Sequence, residues 1–390
     1  MPTSLGASPV NYAVVGTGFA GAAHVMALRR VPGARVAAVV ATTPERAAEA
    51  AARLGVERSS ADLDQLLADG SIDVIDNCTP NHLHAAITHA ALEAGKHVLS
   101  EKPLAMDTGE TAALVAAAER AGTVTGVCFN YRHFPLVQQA RAMLAGRRTH
   151  MIRGGYLQDW LLNDDDWNWR LLTAQAGTSR AVGDIGSHWI DLVTHLTGRT
   201  MTRVYARLGR LHETRRRPPT THATFERASG EGESLDVDTE DFATVLFDLE
   251  GGCPGVFSVS QVSPGMRNRL TVELDTPDAT LAWNQEQPNQ LWIGHRDRAN
   301  EVLVRDPALL EPRAAALVHY PAGHEEGWPD ALANLVSEFT EDVLAHGRGE
   351  QRDSLVATFA DAHRVSATVE AIVESGRTGG WVDLPQAVPA

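Results

Sequence analysis

Tyr12-Ala13-Val14-Val15-Gly16-Thr17-Gly18-Phe19-Ala20-Gly21 joins a short apolar run to a GxGxxG turn. The run reads as a buried strand, and the alanine-rich residues 20–30 beyond the turn read as a helix. In that setting each glycine has a task. Gly16 makes the tight turn, Gly18 lets the backbone approach a pyrophosphate, and Gly21 lets helix and strand pack closely, with the anion at the helix N-terminus. Thr17, Phe19 and Ala20 complete the predicted cofactor loop. A glycine-rich turn without a ligand is the plainer alternative. Its place at the head of a strand–helix–strand unit favours dinucleotide binding.

Outward from this turn the alternation continues. Residues 35–41, 74–77, 97–100 and 124–129 are further short, apolar strand candidates. Helical stretches lie between them near 44–54, 63–68, 82–94 and 108–121, several closed by a glycine (Gly33, Gly55, Gly95, Gly122). Strand alternating with helix predicts a doubly wound parallel sheet. After about Tyr131 the pattern changes. Helices are expected at 134–145 and 187–196, and alternating segments at 204–211, 242–249, 255–262 and 270–274 predict an antiparallel sheet. Helices at 331–345 and 354–374 and a short strand at 381–384 follow. Residues 215–233, with Pro218 and Pro219, read as a mobile loop, and Arg215-Arg216-Arg217 as a solvated turn. A length of 390 residues accommodates two to three domains at about 150 residues each. The division expected is 9–131 for the dinucleotide-binding domain and 132–390 for the rest, an α/β protein overall.

Composition excludes other classes. Charged residues are 21% and hydrophobic residues 44%, as in ordinary globular chains. The net charge of −15 makes nucleic acid and anionic membranes poor partners. No apolar run reaches the roughly 18 residues that span a bilayer, and Met1 to Pro9 lack the basic start and apolar stretch of an export signal. Cys78, Cys128 and Cys253 show no CxxC spacing, which argues against disulfides and zinc and suits a reducing cytoplasm. No metal is expected.

Of the 34 basic residues only Lys96 and Lys102 are lysine. Lysine can lose its proton when its pKa falls, and arginine effectively cannot. Ligands in open α/β sheets bind beyond the carboxyl ends of strands. Lys96 precedes its strand and reads as structural; Lys102, in Ser100-Glu101-Lys102-Pro103, sits at the ligand edge. Thr79-Pro80-Asn81-His82-Leu83-His84 occupies the same edge, so Thr79, Pro80, Asn81, His84 and Glu101 join the cofactor candidates. The plain reading of His82, His84 and His89 is a polar helix face. At the end of the second strand, Thr42-Thr43-Pro44-Glu45-Arg46 replaces the acid usual for NAD. Thr42, Thr43 and Arg46 suit either ribose, so NAD or NADP stays open.

These motifs, with Phe129-Asn130-Tyr131-Arg132 and Gly183-Asp184-Ile185-Gly186-Ser187-His188, resemble the glucose–fructose oxidoreductase / inositol dehydrogenase / rhizopine catabolism (Gfo/Idh/MocA) family. Residues 155–160, Trp167-Asn168-Trp169-Arg170 and His324-Glu325-Glu326-Gly327-Trp328 are similar to its pyranoside-acting branch, that of levoglucosan dehydrogenase and glycoside 3-dehydrogenases. Trp328 stands where tyrosine is common. The resemblance implies a Rossmann domain, a second domain with a large open sheet that often builds dimers or tetramers, and a cis bond between Lys102 and Pro103. It also implies oxidation of a secondary hydroxyl on a sugar, pyranoside or cyclic polyol. Lys102, Asp184 and His188 are then the catalytic candidates. Asp184 lies four residues before His188 and on a helix would orient the imidazole; an N-cap role for Asp184 is the alternative. Asn130, Tyr131 and Gln158 would meet sugar hydroxyls or the nicotinamide amide. Trp160, Trp167 and Trp169 would stack on sugar or cofactor, or pack in the core. Trp169 and Arg170 go with the cofactor; Tyr131, Gln158, Trp160, His324 and Trp328 go with the substrate. An NAD-dependent glycosidase and a non-catalytic dinucleotide-binding regulator are the rival readings.

Overall fold

A computed structural model describes residues 8–219 and 232–385. The chain divides into two compact units, 1–133 with 328–363, and 134–327 with 364–390.

The first unit holds the six-stranded parallel sheet. Its strands are β1 (Val10–Val15), β2 (Ala34–Val40), β3 (Ser59–Ser60), β4 (Val74–Asn77), β5 (His97–Ser100) and β6 (Thr125–Val127). They lie in the order β3-β2-β1-β4-β5-β6. The reversal of order at β1 and β4 is the switch point of a doubly wound sheet, where ligands bind. The helices between them are α1 (Phe19–Leu28), α2 (Pro44–Leu54), α3 (Leu63–Leu67), α4 (Asn81–Glu93) and α5 (Thr108–Ala121). Their ends follow local chemistry. Thr43 caps α2 by accepting from the Arg46 amide at 3.2 Å, with Pro44 at the first helical position and Gly55 left-handed at the stop.

The expected division differs at its far end. Residues 328–363 belong with the first unit because helix Trp328–Gly347 completes its core. Leu332, Leu335, Val336 and Phe339 are buried with Tyr12, Val25, Leu28 and Val74. Burial of Phe339 alone contributes about 1.5–3 kcal/mol. A methyl on Gly126 would meet Val356 at 2.5 Å and the Phe339 ring at 3.1 Å, so β6 needs glycine there.

In the second unit a nine-stranded sheet is centred on Met151–Leu157, which pairs in parallel with Cys253–Ser260 and antiparallel with Arg269–Asp275. All other neighbours are antiparallel. Phe242–Leu249 alternates strictly over its first six residues, burying Ala243, Val245 and Phe247. Its other face stays open, with Phe242 41% and Leu246 44% exposed. Trp189 stacks on Phe257 at 4.4 Å beneath the sheet.

Two sequence expectations are corrected here. Arg215-Arg216-Arg217 is not a solvated turn: Thr214–Arg217 pairs with Glu233–Asp236, and Arg215 is buried against Asp241 at 2.7 Å. Most of the loop predicted around it, residues 220–231, lies outside the described residues. The helix expected from 354 starts at Phe359.

Candidate active site

Site candidates fall on both units, and each set rests on its own scaffold. On the first, Gly16 takes φ +96°, and a Cβ there would lie 2.5 Å from the Cys78 carbonyl oxygen. A Cβ on Gly21 would fall 1.9 Å from the Gly16 oxygen. Gly18 differs: nothing lies within 4 Å of its would-be Cβ. The N-terminus of α1 carries no side-chain cap and no acid in its first turn. Open space at an uncapped helix start fits a dinucleotide pyrophosphate. Phe19, 53% exposed, sits 6.0 Å from Trp328, so Trp328 lies beside the glycine loop.

The tip of β2 presents no carboxylate. Arg46 reaches back to the Thr42 hydroxyl at 3.4 Å, and Arg53 donates to the Thr17 carbonyl at 2.9 Å. Arg46 thus lies at the β2 tip and Arg53 against the glycine loop.

Beyond β5 the chain turns through a cis Lys102–Pro103 bond. Glu101 accepts from the Lys102 amide at 3.0 Å. His84 is 1% exposed, and its ring nitrogens lie 2.6 Å from the Pro103 oxygen and 2.7 Å from the Thr79 oxygen. Burial pulls its pKa down, against the pull of the two carbonyls. His84 thus ties the two strand-end loops together and does not belong to an exposed polar helix face. Thr79 folds onto Asn77 at 2.7 Å, where α4 begins at Asn81. Lys96 donates to the Asp69 and Ile72 carbonyls at 2.7 and 2.8 Å, leaving Lys102 as the lysine at the ligand edge. Asn130 is 2% exposed, and its amide nitrogen has no hydrogen-bond partner among the described residues. A buried unpaired donor is costly, which suits a group completed by a ligand. Tyr131 beside it is 1% exposed.

On the second unit, Asp184 is not an N-cap. It lies inside a π-helical turn, Val182–Gly186, that runs directly into helix Ser187–Thr197. The capping work falls to Glu240, which accepts from the Ser179 hydroxyl at 2.8 Å and from the Arg180 and Val182 amides at 3.0 and 2.9 Å. Asp184 uses its carboxylate instead. One oxygen faces Arg170 Nε at 3.2 Å and the other accepts from Gln261 Nε2 at 2.8 Å. Gln261 is itself held through its oxygen by Arg180 at 3.1 Å. Arg180 pairs with Asp241, which also binds Arg215. Burial opposes the charge of Asp241, but the two guanidiniums outweigh it and hold its carboxyl below the usual range. Single-turn π-bulges recur at functional sites because they re-aim side chains within a helix. The His188 ring lies 6.3 Å from that of Tyr156.

Gln158 is engaged at both ends, donating to Asn268 at 2.9 Å and accepting from Trp160 at 2.9 Å. Trp160 and Trp167 pack on Leu161, Leu171 and Val237, so both serve a small core. Trp169 lies under the Arg170 guanidinium at 4.5 Å. His324 is exposed. In its motif the buried member is Glu326, paired to Arg305 at 2.8 Å and accepting from the His319 and Tyr320 amides. Sequence reading missed Gln261, Glu240 and Asn268, which lie far along the chain from Asp184 and Gln158, and Arg180, which is near Asp184 but whose partners Asp241 and Gln261 are remote; none carries a motif of its own.

An oxidoreductase family model with an NAD-binding Rossmann fold matches residues 10–129, and the GFO/IDH/MocA C-terminal domain matches 137–276. The chain is 33% identical to levoglucosan dehydrogenase of Pseudarthrobacter phenanthrenivorans, over 97% of this chain and 98% of that one. A solved levoglucosan dehydrogenase in complex with NADH and L-sorbose gives a TM-score of 0.87 at 31% identity, covering 97% of this chain and 100% of that one. An inositol dehydrogenase homologue from Azotobacter vinelandii, complexed with NADH and myo-inositol, gives 0.84 at 28% identity, covering 97% and 98%. Matched across both units by family models and over nearly its whole length by a relative, the chain belongs to the Gfo/Idh/MocA family of NAD-binding oxidoreductases.

Proposed function

We propose that this enzyme oxidises a secondary hydroxyl of a sugar, pyranoside or cyclic polyol. One observation carries the reading: the similarity to levoglucosan dehydrogenase runs the length of the chain, and Lys102, Asp184 and His188 stand in the motifs that resemble the family's. When bound, the nicotinamide supplies the hydride acceptor. The glycine loop and the start of α1 hold the pyrophosphate. Lys102 would hydrogen-bond the reacting hydroxyl and stabilise the developing alkoxide, and either Lys102 or His188 would serve as the base that takes the proton. Asp184 supports the charged form of His188.

The test is a panel of pyranosides and polyols with NAD and with NADP, followed at the nicotinamide absorbance band. Net NADH formation on a free pyranoside is expected. Aglycone release from a nitrophenyl glycoside without net NADH would overturn the reading in favour of a glycosidase, and absence of any turnover would favour a regulator. No carboxylate at the β2 tip repels a 2′-phosphate and Arg46 can neutralise one, so NADP is expected to serve alongside NAD.

Asp184→Asn keeps the size of the side chain and removes its charge. A nearby carboxylate raises an imidazole pKa, and a base must be neutral to act. The variant should stay folded, lose about tenfold in turnover, and show an acid limb of the pH–rate profile moved to lower pH. Wild-type turnover with an unmoved limb would remove Asp184 from the chemistry.

The open sheet face, with Phe242, Leu246 and Trp292 exposed, suits a homodimer or homotetramer. Sedimentation of the wild type should give a multiple of the 41.9 kDa chain, and Leu246→Glu should lower it. A monomeric wild type would rule this out. Among the described residues no helix is long and apolar enough to cross a membrane. The three cysteines are free and buried, in keeping with a reducing cytoplasm.

A further inference from the structure

Beneath the glycine loop of the first unit lies a group of buried ionisable residues that the proposed chemistry does not use. His24 of α1 and Asp76 of β4 are both fully buried. Nδ1 of His24 lies 2.9 and 3.0 Å from the two Asp76 oxygens. Its Nε2 lies 3.2 Å from Glu101 Oε1. Cys78 and Cys128 complete the surroundings, the latter with its sulfur 3.6 Å from Nε2.

Carboxylates at neutral pH only accept, so both ring nitrogens must carry protons. His24 is an imidazolium between two carboxylates. Burial alone would strip its charge, but Asp76 outweighs burial and holds the pKa well above the histidine range. His24, Asp76 and Cys78, and likewise His24, Glu101 and Cys128, bring donor atoms of metal-ligand type within 4.8 Å of one another. Both His24 nitrogens are already committed to carboxylates, which favours an ion triad over a metal.

A buried triad of this kind is weak as a stabilising device, because apolar replacements of similar volume are often neutral or better. It is strong as a fixing device, and what it fixes is adjacent to the reaction. Glu101 uses its second oxygen, Oε2, to accept from the Lys102 backbone amide at 3.0 Å. We propose that His24, backed by Asp76, is a positioning residue: it anchors Glu101, and through Glu101 the backbone from which Lys102 projects. His84 holds the other side of the same turn through the Pro103 carbonyl. The inference rests on the reading of Lys102 as a group at the reacting hydroxyl.

Asp76→Asn tests it. The amide oxygen of Asn can still accept from Nδ1–H, but without a second carboxylate the ring becomes neutral. A neutral ring offers Glu101 at best an uncharged donor, so the charge-assisted bond that fixes Glu101 is lost. Misplacement of a reacting group by about 1 Å costs up to about a hundredfold. At saturating sugar and NAD, turnover per NAD-binding site should fall at least about tenfold, with KM for sugar changed less than about threefold. Counting sites by NAD titration keeps unfolded protein out of the rate, and His24→Gln carries the same expectation should Asp76→Asn bind no NAD. In a Lys102→Met background, Asp76→Asn should cause no further loss, since both act through one group. Wild-type turnover in Asp76→Asn, losses that multiply in the double variant, or one zinc per chain in purified wild type would each overturn the proposal. If Lys102→Met itself turns over normally, the reading of Lys102 fails instead; if it is slow while Asp76→Asn is normal, only the present inference fails.

Discussion

Lys102→Arg should lose about a hundredfold or more in turnover, in the range of proton-transfer groups, while NAD binding changes little. The substitution keeps the positive charge and a hydrogen-bond donor. What it removes is the ability to give up and retake a proton near neutral pH. Size is a second loss, because the turn at Lys102 is clamped by Glu101 on one side and His84 on the other. The internal control is Lys96→Arg. Lys96 donates to two carbonyls at the far edge of the sheet, a job another cation can partly do. That variant should keep near-normal turnover with a modest fall in melting temperature. Steady-state rates and nicotinamide titrations on both proteins decide the matter. Near-normal turnover in Lys102→Arg would reduce Lys102 to a fixed cation.

Gly18→Val is expected to abolish cofactor binding without unfolding the protein. The position has ordinary φ and ψ of −72° and −158°, and a side chain there meets nothing within 4 Å. A valine is therefore tolerated by the fold and blocks only what approaches from outside. The contrast is Gly21, where a Cβ would lie 1.9 Å from a backbone oxygen and the helix must shift. Gly21→Val should lose both cofactor and melting temperature. Melting curves beside NAD titrations separate the two. Retained NAD affinity in a folded Gly18→Val protein would take the pyrophosphate away from this loop.

The parallel sheet was legible because each of its main strands is a continuous apolar run between a turn and a glycine-stopped helix. Only β3, two residues long, escaped. The central strand of the second sheet, Met151–Leu157, was not seen as one because it contains Gly154 and Gly155. Both are required by close neighbours: a Cβ would lie 2.1 Å from the Thr271 oxygen at Gly154 and 2.3 Å from the Ser258 oxygen at Gly155. Strand propensity reads such a pair as a break. Arg215 was misread for a different reason. Its partners Asp241 and, through that carboxylate, Arg180 are remote in sequence, so local charge looked solvated. The same distance hid the support of Asp184. Lys102, Asp184 and His188 stand out by residue type and motif, whereas Gln261, Glu240 and the His24–Asp76 pair are ordinary residues until the fold brings them in.

Helix Trp328–Gly347 carries a consequence for how the protein is made. The core of the first unit is closed by side chains that leave the ribosome only after residues 134–327 have been synthesised. At about 5–20 residues per second that is a delay of roughly ten to forty seconds. Throughout it, the apolar surface that will receive Leu332, Leu335 and Phe339 has no cover from its own chain. The dinucleotide-binding unit starts to emerge before the second unit but cannot close its core until residues 328–363 have been made. Its nascent form is a natural client for chaperones, and a stop codon placed before residue 328 should yield an aggregating fragment, not a working half.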